Sequence, residues 1–434
     1  MRFHVLGLGS IGTLISYHLR RSIRLRQQRG FLHTPGIDPI PPEITAGLPA
    51  NAADTSVTLH LRREYVAQAF SGASVEHAGI HRPDNAIPQG PSIVEQAGYA
   101  KGPDAIDSLI VTTKADATVQ AIAPLSKRLT PASTVVLLQN GMGVVDELIH
   151  TVFPDTASRP QIILGNLSHG CYSRGQFQTI HAGYGSMRLG LIPDPRGRAE
   201  YERRLQGRAT SSLRVPDSDT TSRSNLSGLD LNAIPRDASH LTLRYTLASL
   251  LSLPLDVHWD PLESYQVGAL RKLVVNACIN PLTAIMDCQN GQLVGDPYAQ
   301  QIWSEVCHEA AEVFLAAAQA DMDGPSSARR MPEYSAKPLL DPSLTPSALF
   351  SAVRDVATKT RKNYSSMHSD VRGRGRTEID YMNGYLVQLG KAFGVEVKTN
   401  EMLRRLVLSL GWGDKKATWQ RRSQVREEEE QQER

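Results

Sequence analysis

The chain opens on a short apolar run, "FHVLGL", which reads as a strand. The glycines of "GLGSIG" follow it, and "TLISYHLRR" then places apolar residues at helical spacing. Strand, glycine turn and helix in that order form the start of a dinucleotide-binding α/β unit. The first glycine of such a turn permits the tight bend, the second admits a pyrophosphate close to backbone, and the third lets helix and strand pack closely. Those positions are Gly7, Gly9 and Gly12. "SVTLHLRRE", "DSLIVTTKADAT" and "STVVLLQNGMGVVDEL" supply further β-rich runs with polar or glycine residues at their carboxyl ends, where open α/β sheets place ligands. "IILGNLSHGCYSRGQFQTIHAGYGSMRLG" alternates strand-like runs with glycine turns and predicts antiparallel strands closing this unit.

From about Pro261 the pattern becomes helical. In "LRKLVVNACINPLTAIM" almost every direction around the helix is apolar, which describes a helix buried on all sides. Its polar residues do not scatter: at 100° per residue Lys272, Thr283, Asn276 and Asn280 fall within about 80° of arc. A buried lysine is costly unless it is paired or solvated, so one polar side chain here would read as snorkelling or capping. Lys272, Asn276 and Asn280 at i, i+4 and i+8 read instead as the wall of a polar cleft. Pro281 adds a helix distortion one residue beyond Asn280 and frees backbone groups on the same segment.

The remaining segments set the limits of these units. Residues 27–55 and 193–240 are rich in Pro, Gly, Ser or Arg and lack periodicity, which predicts two insertions in a first domain over 1–260. A helical domain over 261–420 carries a smaller insertion at about 322–346, and 421–434 is a charged tail. The balance of 47 basic against 44 acidic residues argues against wholesale nucleic-acid binding. No apolar run is long enough to span a membrane, no signal pattern precedes the first strand, and an intracellular soluble protein is expected. Four cysteines without metal-site spacing predict buried thiols in a reducing compartment and no metal. Arg20, Arg21, Arg24, Arg26 and Arg29 form a basic run that could meet RNA, but they end a helix, where cations offset the carbonyl dipole.

Two features bear on ligand choice. The second strand ends in Arg62 and Arg63 rather than in an acid, which favours a 2'-phosphate and therefore NADP. In "KNYSSMHSDVRGRGRTEIDYMNG", Asn363, Ser366 and Asp370 recur at helical spacing ahead of Thr377 and Glu378. Thr377 with Asp380 resembles a capping box, which alone would account for an acid at Glu378.

Taken together, "GLGSIG", "TTKADAT", "LQNGMG", "IHAGYG", "RKLVVNACINPLTAI" and "SSMHSDVRGRGRTEIDYMNGYLV" resemble the ketopantoate reductase family, in the family's order and over most of the chain outside its insertions. The resemblance implies an α/β Rossmann-type NADP-binding domain followed by an all-helical carboxy-terminal domain of the 6-phosphogluconate-dehydrogenase-like kind, with substrate in the cleft between them. It implies that Lys272 is the catalytic lysine and that Asn276, Asn280, Asn363, Ser366 and Glu378 bind substrate. It further implies that Gly7, Leu8, Gly9, Ser10, Ile11, Gly12, Arg62, Lys114 and Asn140 contact the cofactor. "VEVKTNEML" departs from the family's Thr-Pro-x-Asn arrangement, so Thr399 and Asn400 match it less well. The insertions suggest a eukaryotic, fungal-type member.

The expected activity is NADPH-dependent reduction of 2-dehydropantoate to (R)-pantoate, for pantothenate and coenzyme A synthesis, in the cytoplasm. A small 2-oxo acid is then the partner, with no membrane and no nucleic acid, and a homodimer is a further expectation. Two alternatives stand beside it: a reductase of another 2-oxo acid, and a non-catalytic relative recruited to RNA or protein binding in mitochondria.

Overall fold

The computed structural model describes residues 1–29, 55–61, 72–77, 93–96, 104–194, 196, 231, 234–322, 341–373 and 375–410. They divide into two compact units, one of Met1–Asn140 with Val145–Tyr265, the other of Gly141–Val144 with the chain from Gln266 onward.

The first unit is built on parallel strands whose apolar residues run almost without alternation, as strands buried on both faces require. β1 (Arg2–Leu6), β2 (Ser56–Leu61), β4 (Ile93–Gln96), β5 (Ser108–Val111), β6 (Thr134–Leu137) and β7 (Gln161–Leu167) lie in the order β4-β2-β1-β5-β6-β7, all parallel. The chain leaves β1 toward one edge and returns through β5 toward the other, so β1 and β5 flank the point where strand order reverses. Two strands extend the sheet beyond β7. β10 (Met187–Leu191) pairs antiparallel to β7, and β11 (Val257–Trp259) pairs parallel to β10.

The glycine-punctuated segment divides between two sheets. β8 (Gly170–Gly175) and β9 (Gln178–Gly183) form the predicted antiparallel pair, but β9 also pairs in parallel with β3 (Ser74–His77), giving a separate three-stranded sheet. Helix α1 (Ser10–Arg29) carries Leu14, Ile15 and Leu19 into the core with Phe3, Val5, Leu59 and Ile110. The helices α2 (Ala115–Ile122), α3 (Val144–Thr151) and α4 (Leu241–Leu251) follow. The end of the expected insertion at 193–240 is ordered. Leu231 and Ile234 are buried, and their carbonyls accept hydrogen bonds from Arg244 Nη1 of α4. The other stretches of that insertion, most of 27–55 and 322–346, and the tail lie largely outside the described residues.

A chain of histidines joins α1 to the small sheet. His169 Nε2 lies 2.9 Å from the Leu255 carbonyl, which can only accept, while Gly185 N–H donates to His169 Nδ1. His169 Nδ1 is therefore an acceptor, and His181 Nε2, 3.1 Å away, donates to it. His181 Nδ1 then accepts from His77 Nδ1, also at 3.1 Å. The ring of His18 on α1 packs 5.7 Å from that of His77, with both nitrogens buried and without a hydrogen-bond partner among the described residues. Burial, reinforced by the neighbouring histidines and by Arg21, lowers the His18 pKa to about 3; burial and its histidine neighbours lower that of His181 to about 4. Among the described residues no group of three potential ligands is placed to hold a metal ion.

The second unit is helical, with α5 (Leu262–Met286), α6 (Asn290–Val294), α7 (Pro297–Met322), α8 (Pro346–Lys359), α9 (Ser366–Arg372), α10 (Asn383–Phe393) and a closing helix over 398–410. Leu270, Leu273 and Val274 of α5, Trp303 and Phe314 of α7 and Leu386 of α10 share its core.

Candidate functional site

The glycine turn has the geometry its sequence demands. Gly7 sits at φ +96°, where an L side chain is strained, and a Cβ there would lie 2.7 Å from Thr113 N. A Cβ on Gly12 would meet the Gly7 carbonyl and Thr112 Oγ1, so helix and strand pack too closely for any other residue. Gly9 is different: a Cβ there would point into open space. That space lies beyond the N-terminus of α1, whose first turn carries no acid. Backbone N–H groups and the helix dipole therefore face an open cradle that suits a dinucleotide's pyrophosphate. Across the switch point, the Thr112 hydroxyl donates to the Gly7 carbonyl, and the exposed Lys114 precedes α2. Asn140 ends the first unit's segment after β6. Arg62 and Arg63 lie outside the described residues, which include β2 up to Leu61.

In the second unit the polar line on α5 is present. Lys272 and Asn276 are half-buried, and Asn280 and Thr283 are buried. Burial lowers the Lys272 pKa to about 8, against the opposing charge of Glu378, which raises it. Glu378 is itself buried. It occupies the position before a 3-10 turn, Ile379–Tyr381, and its side chain caps nothing, so the capping-box reading fails here. A buried carboxylate whose charge acts on a half-buried lysine is left in its place. The preceding segment Gly141–Val144 is seated against the same turn: Gly141, at φ +82°, packs against the Tyr381 backbone, and Met142 N–H donates to the Tyr381 carbonyl at 2.8 Å.

The asparagines on α5 keep polar atoms available. Asn276 has no side-chain hydrogen bond among the described residues, and the only one Asn280 makes there is a contact of 3.6 Å from Nδ2 to Met382 Sδ. Thr283 turns inward instead, with its hydroxyl bonded to the backbone of α5 and 2.7 Å from Ser365 Oγ. Ser365 also caps α9 by accepting from His368 N–H, so the buried serine is Ser365 while Ser366 is exposed. Asn363 is exposed, and its carbonyl accepts from Asn290 N–H at 3.0 Å. The structure thus brings Lys272 and Glu378 together, places Asn276 and Asn280 in line with them, and sets Asn363 and Ser366 on the turn leading into α9.

Sequence reading passed over Asn383, although Pro281 held the signal. A proline cannot donate to the carbonyl four residues earlier, so Ala277 O needs another donor. Asn383 Nδ2 supplies it at 3.1 Å. Cys278 O, one residue further on, accepts from Trp303 Nε1 at 3.2 Å. Asn400 belongs to the same support: its side-chain carbonyl accepts from Asn383 Nδ2, while its own N–H and Nδ2 donate to Glu309 of α7.

A doubly wound sheet with a glycine cradle at its switch point, carried in one chain with a helical unit that desolvates a lysine under the charge of a carboxylate, defines a two-unit nucleotide-dependent reductase. The model described as ketopantoate reductase PanE/ApbA matches residues 44–194, which exclude the glycine turn, and the one described as ketopantoate reductase PanE/ApbA C terminal matches 265–410. The chain belongs to the ketopantoate reductase family. It is 27% identical over 306 residues to the "Probable 2-dehydropantoate 2-reductase" of Schizosaccharomyces pombe, covering 70% of this chain and 74% of that one. It is also 27% identical to the 2-dehydropantoate 2-reductase of Saccharomyces cerevisiae, covering 67% and 69%. Solved structures share the fold. A D-mandelate dehydrogenase with NADH and anilino(oxo)acetate superposes at TM-score 0.61 with 18% identity, covering 95% of this chain and 99% of that one. The probable 2-dehydropantoate 2-reductase of Bacillus subtilis superposes at 0.56 with 19% identity, covering 94% and 100%.

Proposed function

We propose that this protein reduces 2-dehydropantoate to (R)-pantoate with NADPH, in the cytoplasm. The observation that carries the chemistry is the half-buried Lys272, whose pKa desolvation brings down to about 8 against the charge of Glu378. Family membership and the names of the fungal relatives support the substrate. Arg62 and Arg63, in the place where NAD-binding versions carry an acid, support NADPH, although the mandelate dehydrogenase that shares the fold was solved with NADH. Four unpaired cysteines favour a reducing compartment.

The residues present suit a nicotinamide dinucleotide, since the open space at Gly9 and the start of α1 can receive its pyrophosphate. When bound in reduced form, it supplies hydride to C2 of the 2-oxo acid. As C2 changes from trigonal to tetrahedral, negative charge develops on its oxygen, and the Lys272 ammonium donates a proton there. Lys272 is then neutral and regains its proton from solvent. Glu378 keeps enough charge on the lysine for that donation despite burial. Asn276 and Asn280, whose side chains make no hydrogen bond among the described residues beyond the contact of Asn280 Nδ2 with Met382 Sδ, hold the substrate's carboxylate and hydroxyl, and Ser366 and Asn363 close the set.

The test is nicotinamide oxidation with 2-dehydropantoate and a panel of other 2-oxo acids, each with NADPH and with NADH. Turnover is expected with 2-dehydropantoate and NADPH, with kcat/KM at least tenfold lower, as an order of magnitude, for the other pairings. A better 2-oxo acid would replace the substrate, a preference for NADH would remove the role of Arg62, and cofactor binding without turnover would sink the enzymatic reading.

A further inference from the structure

One turn of chain meets α5 at successive points. Glu378 opposes Lys272, Met382 Sδ meets Asn280 Nδ2, and between them along α5 Asn383 Nδ2 meets the carbonyl of Ala277, the neighbour of Asn276. The last contact exists because Pro281 leaves that carbonyl without its helical donor. Both Asn383 amide hydrogens are committed, one to Ala277 O and one to Asn400 Oδ1 at 3.0 Å. Asn400 is fixed in turn by Glu309 Oε2, through Nδ2 at 2.7 Å and N–H at 3.0 Å, while Glu309 Oε1 accepts from Thr399 N–H at 2.7 Å. Asn383 and Asn400 are fully buried, so water cannot replace either. Thr399 and Asn400, which match the family pattern less well, are thus the outer end of this support.

We propose that Asn383 is a positioning residue for the reductase site, registering α5 at the proline gap so that Asn276 and Asn280 face the substrate together. It touches neither substrate nor cofactor and acts through the backbone of Ala277. The inference rests on the functional reading above for its kinetic consequence, but the backbone link itself does not. Misplacing substrate-holding groups by a fraction of an ångström weakens binding of the substrate more than it alters Lys272, which lies more than a turn away and retains Glu378.

The experiment is a cycle of wild type, Asn383→Ala, Pro281→Ala and the double variant, because alanine at 281 restores an N–H able to bond the Ala277 carbonyl. Asn383→Ala is expected to raise KM for 2-dehydropantoate about tenfold, leave KM for NADPH within about twofold, and leave the basic limb of the kcat profile in place. In the Pro281→Ala background the same substitution should raise that KM about fivefold less. Asn400→Ala, which removes only the outer link, serves if Asn383→Ala fails to fold, and should give a smaller rise in the same constant. A fall in thermal midpoint with KM unchanged, or an equal loss in both backgrounds, would overturn the proposal. If the wild type turns over no 2-oxo acid, the functional reading falls, and the link is judged from amide exchange over residues 277–283 in the same four proteins. Protection lost on Asn383→Ala and regained with Pro281→Ala supports the link, and unchanged protection refutes it.

Discussion

The two units bury ionisable groups in opposite ways. In the α/β unit, His18 and His181 face other histidines, with Arg21 close to His18, and every neighbouring charge acts in the same direction as burial. Both stay neutral throughout the physiological range, and the histidine chain acts as a hydrogen-bonded structural seam. In the helical unit Lys272 is desolvated as well, but Glu378 opposes that effect, and the pKa comes to rest at about 8. Burial alone silences a titratable group, whereas burial against an opposite charge poises it. The same contrast separates a residue that holds the fold from one able to exchange a proton during turnover.

Removing the poised group should have the largest effect. Lys272→Met deletes the proposed proton donor while keeping an apolar stem of similar length, and kcat is expected to fall by about 10²–10⁴. Its stability should not fall with it. A lysine whose folded pKa is below its unfolded value destabilises the fold in its charged form, so methionine should hold or raise the urea midpoint at pH 7. A large loss of stability with kcat retained would show that Lys272 belongs with the structural histidines.

Changing only the opposing charge should have a smaller and pH-dependent effect. In the wild type, kcat for reduction should be level below about pH 8 and fall above it, as Lys272 loses its proton. Glu378→Gln removes the contribution that raises the lysine pKa, so that limb should move to lower pH. The variant then loses more activity at pH 8.5 than at pH 6.5. A profile whose limb stays in place would mean that Glu378 does not set the charge of Lys272.

Periodic features were legible in the sequence, and long-range ones were not. The turn at Gly7–Gly12 and the line of Lys272, Asn276 and Asn280 lie within single elements, where spacing determines which residues share a face. The parallel pairing of β3 with β9 joins segments about a hundred residues apart, and nothing local in "SVEH" announces a partner. Glu378 was singled out by the resemblance alone, because the capping spacing of Thr377 and Asp380 offered a structural account of it, while the group its charge acts on, Lys272, lies on another helix. Pro281 did announce a vacant carbonyl, but which residue would fill it depended on the chain bringing the first residue of α10 to α5 from about a hundred residues away. Leu231 and Ile234 are two buried anchors at the end of a polar stretch, too few to set up any periodic signal.

The silenced group should give the smallest effect, visible only in acid. The folded pKa of His18 lies far below its unfolded value of 6.5, so its neutral form belongs to the fold. The associated stability is complete above pH 6.5. It declines as pH falls, because the unfolded chain takes up a proton that the folded chain refuses until about pH 3. For one such histidine the loss between pH 7 and pH 5 is about 2 kcal/mol, from about 1.4 kcal/mol for each unit below the unfolded pKa. His18→Leu removes the term, and its two buried ring nitrogens have no hydrogen bond to give up among the described residues. Urea unfolding at pH 7 and pH 5 should therefore show a gap between the two pH values that is narrower by about that amount, with reductase activity at pH 7 unchanged. An unaltered gap would mean that His18 is protonated in the folded chain, and the contrast between the silenced and the poised region would then rest on Lys272 alone.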